Sequence, residues 1–254
     1  MIGFERVCET LKEKESAVLA FSGGFDSSYL AEACARSLER VCAVFVDLPV
    51  TSDRQKSEAV RIAGAIGIPL AVVELDWKTL GDMKLNDGMR CYHCKKAIYR
   101  EVRSVAEDLE MNNVICGDNY DDLKAGRPGK LAASEAGVMS PLEELKITRK
   151  EILDFVTSKS WSEGMIKETC LATRIPEDVV LADGLLKDIE EIEETIRKVT
   201  GISQVRFRHR GDRGVIQTYP EDIEKVTEKL PVLMSELKEK RLSFRVDPEG
   251  YKDF

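Results

Sequence analysis

The sequence has no apolar run that approaches the length of a bilayer, which reads against a helical membrane protein. It also lacks a basic excess, since 38 Lys and Arg face 46 Asp and Glu for a formal net charge of −8. A surface of that sign does not attract polyanions over long range, so no broad nucleic-acid interface is expected. Internal repeats and low-complexity segments are missing. The opening stretch, Met1 to Glu15, carries acidic residues and no long apolar core, so it does not read as a secretion signal and a cytoplasmic protein is expected. Seven cysteines are an odd number for a disulfide framework. Disorder is not indicated either, because 43% of residues are apolar and 33% charged.

At 254 residues the chain accommodates one large domain and one small one. Short apolar runs at 16–21, 41–47, 70–75 and 114–116 alternate with helical patterns at 27–38, 53–66 and 91–109. That alternation predicts an α/β domain built on a doubly wound parallel sheet, with its binding crevice at the carboxyl ends of the strands. After Pro176 the pattern changes. A helix over 182–199 carries Leu185, Leu186, Ile189, Ile192 and Ile196 on one side. Strands near 203–209, 214–219 and 242–246 follow, completing a smaller C-terminal α+β domain. The expected division is 1–175 and 176–254.

Ser22-Gly23-Gly24-Phe25-Asp26-Ser27-Ser28 joins the first strand to the first predicted helix of the sheet domain. Its glycines admit backbone amides close to a phosphate, the helix adds free N–H groups, and the serines add hydroxyls. Asp26 repels phosphate on its own and makes sense as a ligand of Mg2+ bridging phosphates. The Walker ending is missing and so is the dinucleotide fingerprint. A glycine-rich turn with a helix cap is the bland alternative. The loop resembles the Ser-Gly-Gly-x-Asp-Ser-Ser loop of the PP-loop ATP pyrophosphatases, which belong with the adenine nucleotide alpha hydrolase-like folds. That resemblance implies ATP, Mg2+ and an adenylated intermediate.

Three further stretches narrow it. Gly117-Asp118-Asn119-Tyr120-Asp121-Asp122 with Arg127-Pro128-Gly129, Cys170-Leu171-Ala172-Thr173-Arg174-Ile175-Pro176, and Gln204-Val205-Arg206-Phe207-Arg208-His209 are similar, in order, to segments of the LarE sulfur transferases. Thr173 stands where that family usually has serine, and Trp161 to Thr169 matches poorly. The resemblance implies ATP binding by Ser22, Gly23, Gly24, Asp26, Ser27, Ser28, Gly117 and Arg127, although Arg127 also reads as a turn-stabilising residue. It implies a small nucleotide acceptor, a pyridinium dicarboxylate mononucleotide, for whose phosphate Arg174, Arg206 and Arg208 are the candidate partners, although Arg206 and Arg208 also read as a solvated strand face with cross-strand salt bridges. It also implies self-association. An acceptor in tRNA and a non-catalytic ATP- or iron-sensing protein remain as alternatives. An amidotransferase would need a glutaminase domain for which 254 residues leave no room.

Cys8, Cys34, Cys42 and Cys116 sit in apolar patterns and read as buried small hydrophobes. Cys91 and Cys94 form a C-x-x-C, which alone reads as a redox pair, half of a zinc site, or a helix start. In LarE proteins the cysteine at the position of Cys170 supplies sulfur, in the sacrificial version by its own loss. By analogy with the cluster-dependent relatives of the superfamily, Cys91, Cys94 and Cys170 are the expected ligands of a [4Fe–4S] cluster. One iron would then be open to a sulfide from solution or from a donor protein.

Overall fold

The computed structural model describes residues 2–124, 128–165 and 167–251, and the chain divides into two compact units. The first comprises 1–83 and 88–168, and the second 84–87 and 169–254. The boundary thus lies before Thr169 rather than at 175, and a distant tetrapeptide joins the second unit. Hydrogen bonds explain this. Asn86 Nδ2 donates to Pro176 O at 2.7 Å, across 90 residues of sequence. Asp178 N donates to Asn86 O at 3.1 Å and Leu181 N to Lys84 O at 2.9 Å. Such bonds leave no mark in local composition.

The first unit is α/β. Strands β1 (Ser16–Ala20), β2 (Arg40–Asp47), β3 (Leu70–Glu74) and β4 (Val114–Cys116) form a parallel sheet in the order β3-β2-β1-β4. Helices α1 (Ile2–Lys12), α2 (Phe25–Ser37), α3 (Asp53–Ile66) and α4 (Arg90–Asp108) flank it. The shorter α5 (Tyr120–Lys124), α6 (Gly129–Glu135), α7 (Pro141–Glu144) and α8 (Arg149–Val156) follow β4. β1 and β2 lie inside the sheet, and their runs of Val, Ala, Leu and Phe are buried as two-sided cover requires. The bounds of α3 follow from its ends. Ser52 caps it by accepting from Gln55 N at 3.1 Å, and the left-handed Gly67 stops it.

What fixes α2 matters most for the site. Tyr29 of α2 meets Phe4 of α1 edge-on at 5.3 Å and Phe155 of α8 at 4.9 Å, while Phe4 and Phe155 stack at 4.1 Å. Phe4 and Tyr29 are buried, which stabilises by about 2–3 kcal/mol for each ring. The helix that follows the glycine loop is therefore gripped on its far face by two others.

The second unit contains α9 (Asp183–Thr200), the hairpin β5 (Val205–Arg210) and β6 (Arg213–Thr218), α10 (Ile223–Glu228), α11 (Leu230–Glu236) and β7 (Ser243–Val246). β5 pairs antiparallel with β6, and β6 parallel with β7. Alternation along the hairpin separates an apolar set, Val205, Phe207 and Ile216, from Arg206, Arg208 and Gln217. Phe207 lies opposite Ile216, and its ring fills the space over Gly214, where an added Cβ would come within 1.9 Å of it. Among the described residues no helix is long and apolar enough to cross a membrane.

Candidate active site

The loop from Phe21 to Ser28 leaves β1 at its carboxyl end and turns directly into α2. Gly23 has φ +73°, and a Cβ there would stand 2.7 Å from Ala59 Cα of α3, so both conformation and space demand glycine. The serines tie the loop together. Ser27 Oγ donates to Gly24 O at 3.1 Å and accepts from Ser22 N at 3.3 Å, and the Ser22 and Ser27 hydroxyls are 3.1 Å apart. Ser22 Oγ accepts from Gly24 N at 3.3 Å. Among the described residues no side chain caps the amino end of α2. Ser28 is fully buried and its hydroxyl has no hydrogen-bond partner among the described residues. An orphaned hydroxyl beside uncapped helix amides is the donor set that phosphate oxygens satisfy. Gly117, after β4, lies against this turn, where a Cβ would be 2.9 Å from Ser27 N.

Asp26 points from the same turn toward the Asp118 to Asp122 loop. Its Oδ2 accepts from Asn119 Nδ2 at 3.1 Å. Asn119 is fully buried, and its Oδ1 accepts from Asp121 N at 2.9 Å and Asp122 N at 3.1 Å. Burial, with Asp122 adding to it, pushes the Asp26 carboxyl up to about 6, against the opposing pull of Arg149 and Asn119. Arg149 reaches Asp122 Oδ1 at 3.3 Å. Lys95 of α4 grips both oxygens of Asp118, at 2.6 and 2.8 Å. Burial works against its ammonium, but Asp118 outweighs this by charge and hydrogen bond, so the net shift is upward. Lys95 and Arg149 were not singled out by the sequence. Lys95 lies inside α4 just after Cys94, where a lysine is an ordinary helix residue, so it gave no local signal.

The second unit assembles its own polar group. Cys170 precedes a 3-10 turn over Leu171–Arg174. Arg174 is buried, with its side chain 1% exposed, and its Nε and Nη2 bind the two oxygens of Glu193 at 2.9 and 3.2 Å. Its Nη1 donates to Thr169 O at 2.8 Å and Thr169 Oγ1 at 2.7 Å. Glu193 Oε1 also accepts from Phe207 N at 2.8 Å. Arg174, expected at a substrate phosphate, is thus held as a structural tie between the Cys170 turn, α9 and β5. Arg206 is buried beneath the face of Tyr251, with Cζ 3.9 Å from the ring centroid. Arg208 donates from Nε to Gln217 Oε1 at 2.7 Å and from Nη1 to Thr173 O at 2.5 Å, both neutral acceptors. Burial, then Arg206 and Arg174, bring the Arg208 guanidinium down to about 10. Arg127 lies outside the described residues.

A family model described as NAD synthase matches residues 5–84, the stretch that carries β1, the glycine loop and α2. An uncharacterised protein of Methanocaldococcus jannaschii is 34% identical over 200 residues, 77% of each chain. An uncharacterised protein of Synechocystis sp. is 29% identical over 256 residues, 98% of this chain and 94% of its own. The pyridinium-3,5-bisthiocarboxylic acid mononucleotide synthase of Lactiplantibacillus plantarum is 25% identical over 207 residues, 80% of this chain and 74% of its own. The chain belongs to the LarE-type family of PP-loop proteins. It is accordingly an ATP-using enzyme that works with Mg2+.

The cysteines of this LarE-type chain fall into two sets. Cys8, Cys34, Cys42 and Cys116 are buried and free, as their apolar settings led one to expect. Cys91 is exposed, and Cys94 and Cys170 are half-buried. Cys91 and Cys94 lie three apart at the start of α4, so they share one side of the helix. Cys170 belongs to the other unit. Among the described residues no three His, Cys, Asp or Glu are grouped to hold a metal ion.

Proposed function

We propose that this LarE-type enzyme adenylates a carboxylate of a pyridinium mononucleotide and replaces the activated oxygen by sulfur. The observation that carries the acceptor is Arg208. It is a partly buried guanidinium with neutral hydrogen-bond partners, beside Arg206 and near Arg174. Buried cations held this way await an anion, and a phosphate monoester suits two guanidinium groups. An acidic protein with a local arginine pair fits a mononucleotide better than a polynucleotide.

The roles follow. A carboxylate oxygen of the acceptor attacks the α-phosphorus of ATP and pyrophosphate leaves. The uncapped amides of α2 with Ser22, Ser27 and Ser28 stabilise the charge that builds on the leaving group. Asp26 would hold Mg2+, which would supply positive charge to the phosphates, and Lys95 offsets the charge of Asp118. Sulfur then attacks the acyl carbon, and AMP departs with the displaced oxygen.

For the source of sulfur, Cys91, Cys94 and Cys170 suit a [4Fe–4S] cluster as three solvent-reached thiols set apart from four buried ones. When bound, the cluster would present sulfide on the iron that lacks a cysteine. One observation favours a second reading, in which Cys170 itself gives up its sulfur. Thr173 O is bonded to Arg208, and Thr173 N donates to Cys170 O at 3.1 Å, so the second unit alone ties the Cys170 turn to the arginine pair.

The test is a reaction of anaerobically purified enzyme with a pyridinium dicarboxylate mononucleotide, Mg2+, ATP and sulfide, followed by product mass. A thiocarboxylate and AMP in equal amounts are expected. ATP turnover that yields no thiocarboxylate would sink the sulfur reading. Iron near four per chain, lost in Cys91→Ser, marks the cluster. Absence of iron, with loss of sulfur from the intact mass at Cys170, marks the sacrificial route.

A further inference from the structure

The short turn between β4 and α5 meets the nucleotide loop at two points. Gly117 lies so close to the start of α2 that a Cβ would stand 2.9 Å from Ser27 N and 3.0 Å from Ser27 Cα. Asn119 is fully buried and donates to Asp26 Oδ2 at 3.1 Å. On either side of the turn the backbone is tied to the chain that follows. Cys116 N donates to Met139 O at 2.9 Å, and Tyr120 N donates to Ile147 O at 3.1 Å. Asp118, between the two contact points, is tied to another element, Lys95 of α4.

That tie has the features of a rigid one. Lys95 Nζ donates to both carboxylate oxygens of Asp118, at 2.6 and 2.8 Å. Gly129, at the start of α6, lies against the lysine stem, where a Cβ would be 2.7 Å from Cδ. The Tyr99 ring centroid is 5.9 Å from Nζ. α4 is seated in turn by its buried Ala97, Tyr99, Val102 and Ala106. A lysine loses much rotamer freedom when it pairs, and a stem already confined by packing loses less. Lys95 therefore presents its charge from a fixed place to a turn whose neighbours on both sides touch the nucleotide loop.

We infer that Lys95 is a positioning residue, which through Asp118 fixes the turn that sets Asp26 and the first amides of α2 for the phosphates of ATP. It acts through the turn and does not itself meet the nucleotide. Donors around a phosphate work only when held to about 0.5 Å, so a small shift of Gly117 or Asn119 is felt in binding. This rests on the phosphate reading of the glycine loop. Because Lys95 directly follows Cys94, the helix that carries the thiol pair also sets the geometry of the nucleotide loop.

The test is calorimetric titration of ATP into the full-length protein with Mg2+ and without acceptor. AMP, which lacks the outer phosphates, is the control. Lys95→Met keeps the stem and removes the charge, and Asp118→Ala removes the acceptor. Each single variant and the double are expected to weaken ATP by about tenfold, because the same tie is lost in all three. AMP affinity and the thermal midpoint should hold. Losses that add in the double variant would overturn the inference, and so would wild-type ATP binding in Lys95→Met. Full recovery in the double would show that Lys95 only offsets the charge of Asp118, and undiminished ATP binding in Asp118→Ala beside loss in Lys95→Met would show direct contact with the phosphates. Either result overturns positioning. A lowered midpoint with both ligands weakened together would show a general structural role and overturn it as well. Wild-type ATP binding in Ser27→Ala combined with Ser28→Ala would instead overturn the phosphate reading of the loop.

Discussion

Asp26 is a carboxylate in the proposed phosphate site, and its environment makes it a poor anion until a cation arrives. Its folded-state value is raised from 3.8 to about 6, mostly by burial. The sign of the consequence is fixed. Below pH 3.8 the group is protonated folded or unfolded and costs nothing, while above about 6 the folded protein must carry a desolvated charge. Asp26→Asn should therefore stabilise the nucleotide-free protein at pH 8, on the order of 2 kcal/mol, and leave it unchanged near pH 3.5. Thermal unfolding at the two values checks this. The same variant should abolish pyrophosphate release, since amide nitrogen and oxygen replace the charged Mg2+ ligand. In the wild type, pyrophosphate release should rise with pH through about 6 as the carboxylate deprotonates. A profile flat from pH 5 to 8 would contradict the assigned role.

At the scale of elements, two local arrangements carry testable weight. Gly23 combines a left-handed backbone with contact against Ala59, so Gly23→Ala should cost about 2–4 kcal/mol and reduce ATP affinity together with stability. The Arg174–Glu193 pair joins a turn, a helix and a strand inside the second unit. Glu193→Ala would strand Arg174 as a buried charge, with an expected loss of about 3–5 kcal/mol in chemical denaturation.

These elements also show what was legible beforehand. α3 was readable residue for residue from the apolar period over 53–66. The hairpin and β7 were readable from period-two alternation and the intervening Arg-Gly-Asp turn. The place of the glycine loop between the first strand and the helix after it was legible from the switch in pattern on either side. The pairing of Arg174 with Glu193 was not foreseen, because an arginine beside a cysteine looks the same in sequence whether it faces a ligand or a buried acid. A signal for its partner did exist. Glu193 sits four residues after Ile189 and three before Ile196, on the apolar stripe of α9, and an acid in that register needs a buried cation. Lys95, Arg149, Gln217 and Tyr251 depend on pairings across long sequence separations, which a single sequence does not display.

At the scale of the molecule, the residues proposed for the chemistry are divided between two units. The nucleotide loop and the C-x-x-C belong to the first, and Cys170 with the arginine pair to the second. A catalytic cycle that needs both should fail when they are expressed as separate chains, and recover on mixing to the extent that they reassociate. Measuring thiocarboxylate formation from such mixtures tests that dependence. Self-association, implied by the family resemblance, is expected as a concentration-independent mass above 28.5 kDa in light scattering.

The ring of Phe207 works as a key in a slot cut by the missing side chain of Gly214. Strand pairing has a two-residue period, so sliding β5 by one position against β6 would exchange Arg206 and Arg208 for their apolar neighbours. The backbone bonds of the ladder tolerate such a slide, but the ring does not, because no other residue of β6 between Gly214 and Thr218 leaves that opening. The address of two positive charges is in this way written on the opposite side of the sheet, by an aromatic residue and a vacancy. Filling the slot with Gly214→Val should misdirect the charges more surely than any change made among the charges themselves.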